Sequence, residues 1–143
     1  MKIFDNLFKF TKSTITPITP ITPISHKDVL IVDDASINRF VLRKFLHKCN
    51  INLKIDDALT GIECINLLKE NDYKIIFMDI KMPIMNGDIA TKEIRKYNNK
   101  VIICAVTGQI ENQQYYTKIG MNECLRKPVN FNDLLFICKK YNL

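Results

Sequence analysis

The sequence predicts an α/β fold, a doubly wound parallel sheet of five strands carrying five helices. Short apolar runs rich in β-branched residues recur at Val29–Val32, Ile75–Met78 and Val101–Val106, as strands buried on both faces require. Helix-period segments separate these runs. Each run also ends in a residue able to do chemistry. Asp33 and Asp34 follow the first, Asp79 follows Met78, Thr107 follows Val106, and Lys127 follows Cys124–Arg126. Carboxyl ends of parallel strands share one edge, and ligands bind where strand order reverses along it.

The elements follow in order. Val29–Val32 is the first strand, and Ser36 is placed to cap a helix whose buried stripe is Phe40, Val41, Leu42, Phe45 and Leu46. Leu53–Asp57 alternates apolar and polar residues, as a half-exposed edge strand does. Ile62–Glu70 is a helix with Ile65, Leu67 and Leu68 inward, Ile75–Met78 a central strand, and Asp88–Tyr97 the third helix. Val101–Val106 is buried strand again. Asn112–Ile119 is a shorter helix ended by Gly120. Cys124–Arg126 is a brief last strand, after which Asn130 caps Phe131–Tyr141, with Asp133 in the capping-box position. Only two residues follow, so the expectation is a unit with no attached output domain.

The domain organisation is a tail over residues 1–27 and a folded unit over 28–143. Ile-Thr-Pro repeats three times between Ile15 and Pro23, and proline at every third position forbids helix, giving an extended spacer. Ahead of it Ile3, Phe4, Leu7, Phe8 and Phe10 lie at helical spacing among Lys2, Lys9 and Lys12. Such a segment could touch a membrane surface or a partner, but so short a helix is marginal alone, so a disordered tail is expected.

Net charge is +6, of which residues 1–27 carry +3. The other +3 is diluted over the folded unit, which is no nucleic-acid footprint. No segment is long and apolar enough to cross a bilayer, and Met1–Lys12 is too interrupted for a secretory signal. The five cysteines (Cys49, Cys64, Cys104, Cys124, Cys138) form no C-x-x-C pair and mostly sit in apolar stretches, so a reducing, cytoplasmic setting is expected.

Adjacent acids alone are ordinary. Asp79, a third acid directly after a buried strand, is not, because three converging carboxylates repel unless a counter-charge intervenes. Mg²⁺, a hard ion taking carboxylates, waters and phosphate oxygens, supplies that charge. After Asp79, Pro83 and Gly87 bound a stiff loop, with the backbone carbonyl of Lys81 placed as a further ligand. Thr107 offers a hydroxyl and Lys127 a point charge for a phosphoryl group; Pro128 restricts the lysine's backbone to extended or cis geometry.

Four stretches resemble the receiver domain of two-component response regulators: Val32-Asp33-Asp34, Met78-Asp79-Ile80-Lys81-Met82-Pro83-Ile84-Met85-Asn86-Gly87, Ala105-Val106-Thr107-Gly108 and Arg126-Lys127-Pro128-Val129. Gly120-Met121-Asn122 adds to them, and the likeness spans about residues 28–141. The run Asp33–Arg39 is similar to receivers of hybrid kinases and phosphorelays more than to those of chemotaxis. The resemblance implies a flavodoxin-like strand order 2-1-3-4-5. It also implies that Asp79 accepts a phosphoryl group from a histidine kinase or histidine phosphotransfer protein. Asp33, Asp34, Asp79 and the Lys81 carbonyl would then arrange Mg²⁺, while Thr107 and Lys127 engage the phosphoryl oxygens. The implied output is a phosphorylation-dependent interaction with a downstream protein, or phosphate relay, by a stand-alone receiver that labels and dephosphorylates only itself and is no turnover enzyme.

Two departures from the family pattern bear on output. Receivers usually carry Tyr or Phe where Cys124 stands, and a cysteine is too small to serve as a swinging aromatic plug. The Thr107–Gly120 segment is also shorter than usual, which suggests relay or a different output face, with Tyr115 or Tyr116 assisting. The alternative keeps the fold as a protein-binding module with non-standard or phosphorylation-independent output. A haloacid-dehalogenase-type hydrolase would need an acid at Lys81, and a dinucleotide site a G-x-G-x-x-G after the first strand. His26, in the spacer, and His47 read as surface residues.

Overall fold

Continuous apolar runs form central strands here because both faces of the sheet are covered. The computed structural model describes residues 23–143. The Lys2–Lys12 segment and the spacer up to Thr22 lie outside the described residues.

The elements are β1 Ser25–Val32, α1 Ser36–Cys49, β2 Ile55–Ala58, α2 Gly61–Glu70, β3 Asn71–Asp79 and α3 Gly87–Arg95. They continue with β4 Ile102–Thr107, a 3-10 turn at Ile110–Asn112, α4 Gln113–Lys118, β5 Glu123–Arg126 and α5 Phe131–Lys140. The five strands are parallel, in the order β2-β1-β3-β4-β5. Fold class and strand order are therefore those expected.

Alternation along each strand divides the core into two layers. Leu30, Val32, Ile76, Met78, Ile103 and Ala105 face one side, where Cys64, Leu68, Ala90, Ile94 and Tyr116 of α2, α3 and α4 close over them. Val29, Ile31, Ile75, Phe77, Cys104 and Val106 face the other, under Leu42 and Leu46 of α1 and Leu134 and Ile137 of α5. Phe45 meets Phe131 edge-on at 5.6 Å between ring centroids, joining α1 to α5.

Several expectations need correction. β1 begins at Ser25, because Ser25, His26 and Lys27 pair with Asn71, Asp72 and Tyr73 of a longer β3; His26 is thus in a strand, not in the spacer. Ser36 is the first helical residue rather than the cap. The Ala35 amide instead donates to the Asp33 carboxylate at 2.8 Å. Phe40 and Val41 of the expected stripe are exposed, since the face on the sheet is formed by Leu42 and Leu46 with Phe45 partly buried beside them. The third helix stops at Arg95, and Asn112 belongs to the 3-10 turn before α4. Asn130 does cap α5, accepting from the Asn132 amide at 2.7 Å.

Candidate functional site

The order reverses at β1, whose chain leaves for β2 on one side while β3 lies on the other. Val32 and Met78 are register partners, so the next residue of each chain, Asp33 and Asp79, emerge together at the carboxyl edge. One carboxylate oxygen from each of Asp33, Asp34 and Asp79 lies within 4.8 Å of the others. Asp33 and Asp79 are buried and Asp34 is exposed, so the cluster has a solvent-facing mouth.

Lys127 reaches across from the loop after β5. Its Nζ lies 2.8 Å from Asp33 Oδ2 and 3.0 Å from Asp79 Oδ1. The Lys127–Pro128 peptide is cis, and the Lys127 amide donates to the Thr107 carbonyl at 2.9 Å, tying this loop to the end of β4. One ammonium among three carboxylates leaves excess negative charge at a buried edge. The donors are all hard oxygens, which suits a divalent cation such as Mg²⁺.

The charges disturb one another in readable ways. Burial pushes the Asp79 carboxyl up, Lys127 pulls it back through a hydrogen bond and its charge, and Asp33 and Asp34 add to the rise, which prevails. For Lys127, burial works to lower the pKa, but hydrogen bonds and attraction from Asp33 and Asp79 outweigh it and raise the ammonium above its usual value. Asp79 is thus a basic carboxylate held against a lysine that stays charged.

Thr107, the last residue of β4, is buried, and its Oγ1 accepts from the Gln109 amide at 3.0 Å. That bond leaves the hydroxyl proton available to another acceptor. Lys81 is exposed in the loop directly after β3. That loop is braced by Gly87 N–H to Ile80 C=O at 2.8 Å, Met85 N–H to Pro83 C=O at 2.8 Å and Met82 N–H to Asn86 Oδ1 at 3.3 Å. Gly87 is required for a reason other than turning. A Cβ there would fall 2.0 Å from the Asp79 carbonyl oxygen, so no side chain fits beneath the aspartate.

Cys124 is half-buried beside Ala105 in the layer that holds Tyr116 and Met121, and burial raises its thiol pKa. Tyr116 is buried there, whereas Tyr115 is exposed and donates to Asp88 Oδ2 at 2.9 Å.

Two residues of the site had no role assigned from sequence. Asn38 donates to both oxygens of Asp33, at 3.2 and 3.1 Å, and Arg39 donates to the Asp33 carbonyl at 2.8 Å. Both lie on the first turns of α1, where the helix's rotation turns them toward Asp33.

Comparison with known proteins agrees with this geometry. The family model of the response regulator receiver domain matches residues 29–139. "Two-component system protein A" of Emericella nidulans is 34% identical over 119 residues, which cover 80% of this chain but only 17% of that protein. The receiver domain of Saccharomyces cerevisiae Ssk1, solved with the histidine phosphotransfer protein Ypd1, superposes with a TM-score of 0.73 at 30% identity, covering 85% of this chain and 90% of that one. The response regulator TrrA of Thermotoga maritima, solved with Mg(2+)-BeF, gives a TM-score of 0.72 at 28% identity, covering 80% of this chain and 98% of that one.

Proposed function

Because this chain belongs to the response regulator receiver domain family of two-component and phosphorelay signalling, we propose that it takes a phosphoryl group from a partner protein's histidine onto Asp79. The observation that carries this reading is the meeting of Asp33, Asp34 and Asp79 within 4.8 Å under the Lys127 ammonium. A carboxylate oxygen of Asp79 attacks phosphorus in line as the phosphorus–nitrogen bond to the donor imidazole breaks. The displaced imidazole leaves with the bond pair. Positioning and charge neutralisation do most of this work.

Each chain residue has a task in that step. Lys127 balances charge on the transferring oxygens, and Thr107 turns its hydroxyl proton toward one of them. Asn38 and the Ala35 amide hold the Asp33 carboxylate in place, so that it does not have to reorganise. Asp33, Asp34, Asp79 and the Lys81 carbonyl would hold Mg²⁺, which when bound supplies the positive charge the lysine alone cannot. The apolar surface of α1 around Ile37 and Phe40, beside this edge, suits a histidine phosphotransfer protein of the kind solved with Ssk1.

The chain acts on no substrate beyond its own acyl phosphate, and it signals through a phosphorylation-dependent interaction or by passing the group on. With Cys124 in the place of an aromatic ring and Tyr116 already packed in the core, output does not depend on a side chain swinging inward at 124. Incubation with Mg²⁺ and acetyl phosphate should add the mass of one phosphoryl group, mapped to Asp79. Asp79→Asn should abolish the label while leaving the fold intact, and labelling that survives the change would move the acceptor elsewhere.

A further inference from the structure

Arg39 chooses a hydrogen-bond partner that its ion pair alone does not explain. Its side chain is largely buried between α1 and β2, with Asp57 Oδ2 3.5 Å from Nε. No hydrogen bond closes that gap, and Nε is left buried and unpartnered among the described residues. Asp57 gives its short contact, 2.6 Å, to Arg43 instead. A buried donor left unmatched is costly, so something else fixes this guanidinium. At its other end Nη1 donates to the Asp33 carbonyl at 2.8 Å.

That carbonyl belongs to the peptide joining Asp33 to Asp34, and a peptide is a rigid plane. Asp33 is pinned on both sides, since its amide donates to the Ala58 carbonyl at the end of β2 at 3.1 Å. Its carboxylate has holders of its own in the Ala35 amide, Asn38 and Lys127. Asp34 has none. It is exposed, and its carboxylate has no hydrogen-bond or ion-pair partner among the described residues. Yet one of its oxygens lies within 4.8 Å of those of Asp33 and Asp79. With no side-chain contact to direct it, its aim comes from the backbone.

We infer that Arg39 is a positioning residue for the cation site: by holding the Asp33 carbonyl it fixes the Asp33–Asp34 peptide plane and so aims the Asp34 carboxylate at the cluster. This rests on the reading of the three acids as a Mg²⁺ site, and adds to it a residue that touches neither cation nor phosphorus. An Asp34 whose backbone could also turn would have to be ordered as the cation arrives, and the pinned plane removes part of that cost. Asp57, facing Arg39 from β2, keeps the guanidinium charge on the side from which Nη1 reaches the carbonyl.

The test is calorimetric titration of Mg²⁺ into the full chain and into its Arg39→Met and Arg43→Ala variants. Methionine keeps much of the arginine's length and packing but has no donor. Arg43 shares Asp57 and holds the Ile55 carbonyl at 3.1 Å, so its loss loosens the same α1–β2 contact without touching Asp33. Arg39→Met should bind Mg²⁺ about tenfold more weakly, and Arg43→Ala as the unaltered chain does. The sign separates positioning from charge, because removing a cation beside the acids would on charge alone tighten Mg²⁺ binding. Before metal is added, the Asp34 amide NMR signal should move in Arg39→Met and stay in place in Arg43→Ala. Should Arg39→Met not fold, Arg39→Lys, which keeps the charge beside Asp57 but loses the planar fork, should weaken binding in the same direction. Binding that is unweakened in the folded Arg39 variant, or weakened equally in Arg43→Ala, overturns the inference and leaves the cation site standing. No Mg²⁺ uptake by the unaltered chain would overturn the reading of the acids, and this inference with it.

Discussion

Lys127 sets its ammonium 2.8 Å from Asp33 and 3.0 Å from Asp79, and both carboxylates are buried. Truncating the lysine leaves two like charges facing one another with no cation between them, and breaking such a buried arrangement costs about 3 kcal/mol. Lys127→Ala should therefore lower stability in urea unfolding by roughly that amount. Added Mg²⁺ should recover more stability in the variant than in the unaltered chain, because the cation takes over a charge the lysine had been balancing. An equal Mg²⁺ response in both would mean that lysine and cation do not share that role. The residues of this cluster were legible in the sequence because each stands at or just past the carboxyl end of a strand, and strand ends in a parallel sheet need no further geometry to converge. Asn38 and Arg39 were not, since their reach to Asp33 depends on how α1 is rotated about its axis. Gly87 read as a turn residue, while its contact with the Asp79 carbonyl is a fact of packing that spacing does not encode.

At the level of elements, α3 is fastened to the amino-terminal side of the sheet by one side chain. Arg95 Nε donates to the Gly120 carbonyl at 2.8 Å, and its guanidinium reaches the carbonyls of Asn98 and Val101 and the Asn122 side chain at 3.0, 2.9 and 3.0 Å. Asn122 in turn accepts from the Ile103 amide at 2.9 Å, so one guanidinium holds the entries to both β4 and β5. Burial lowers the Arg95 pKa, yet the group's planar fork satisfies several backbone oxygens that a lysine could not. Arg95→Ala should cost about 3 kcal/mol, and Arg95→Lys should restore little of it. Acetyl phosphate labelling of Asp79 in the folded variant should persist, since these contacts lie at the other edge of the sheet; its loss would tie α3 anchoring to the site. Element identity was readable because the apolar runs are continuous and bounded. Element ends were less so: the polar start of β1 becomes strand only by pairing with Asn71–Tyr73, a long-range contact. The α1 stripe was drawn too wide for a similar reason, as helical spacing cannot say how much of an apolar face a sheet will cover.

Across the whole molecule the acids divide between two tasks, and pH separates them. Those at the carboxyl edge repel, and burial raises Asp79. Glu123, at the start of β5, instead binds α5. Burial works against its charge, but hydrogen bonds from Lys140 and Tyr141, and the Lys140 charge, hold its pKa below the usual value. A depressed carboxylate contributes stability above its unfolded pKa of about 4.3 and loses it as pH falls through the lower folded value. Glu123→Gln should thus lower the urea midpoint at pH 7, and the gap to the unaltered chain should narrow as pH falls below about 4.3 and close only in stronger acid, below the depressed folded value, where both side chains are neutral. Urea titrations at the two pH values check this. A gap that persists in acid would assign the contact to hydrogen bonding rather than charge, and α5 would then be held to β5 independently of protonation. A gap that closes makes Glu123 one source of the acid limb of stability, at the start of β5 and away from the acidic cluster at the carboxyl edge.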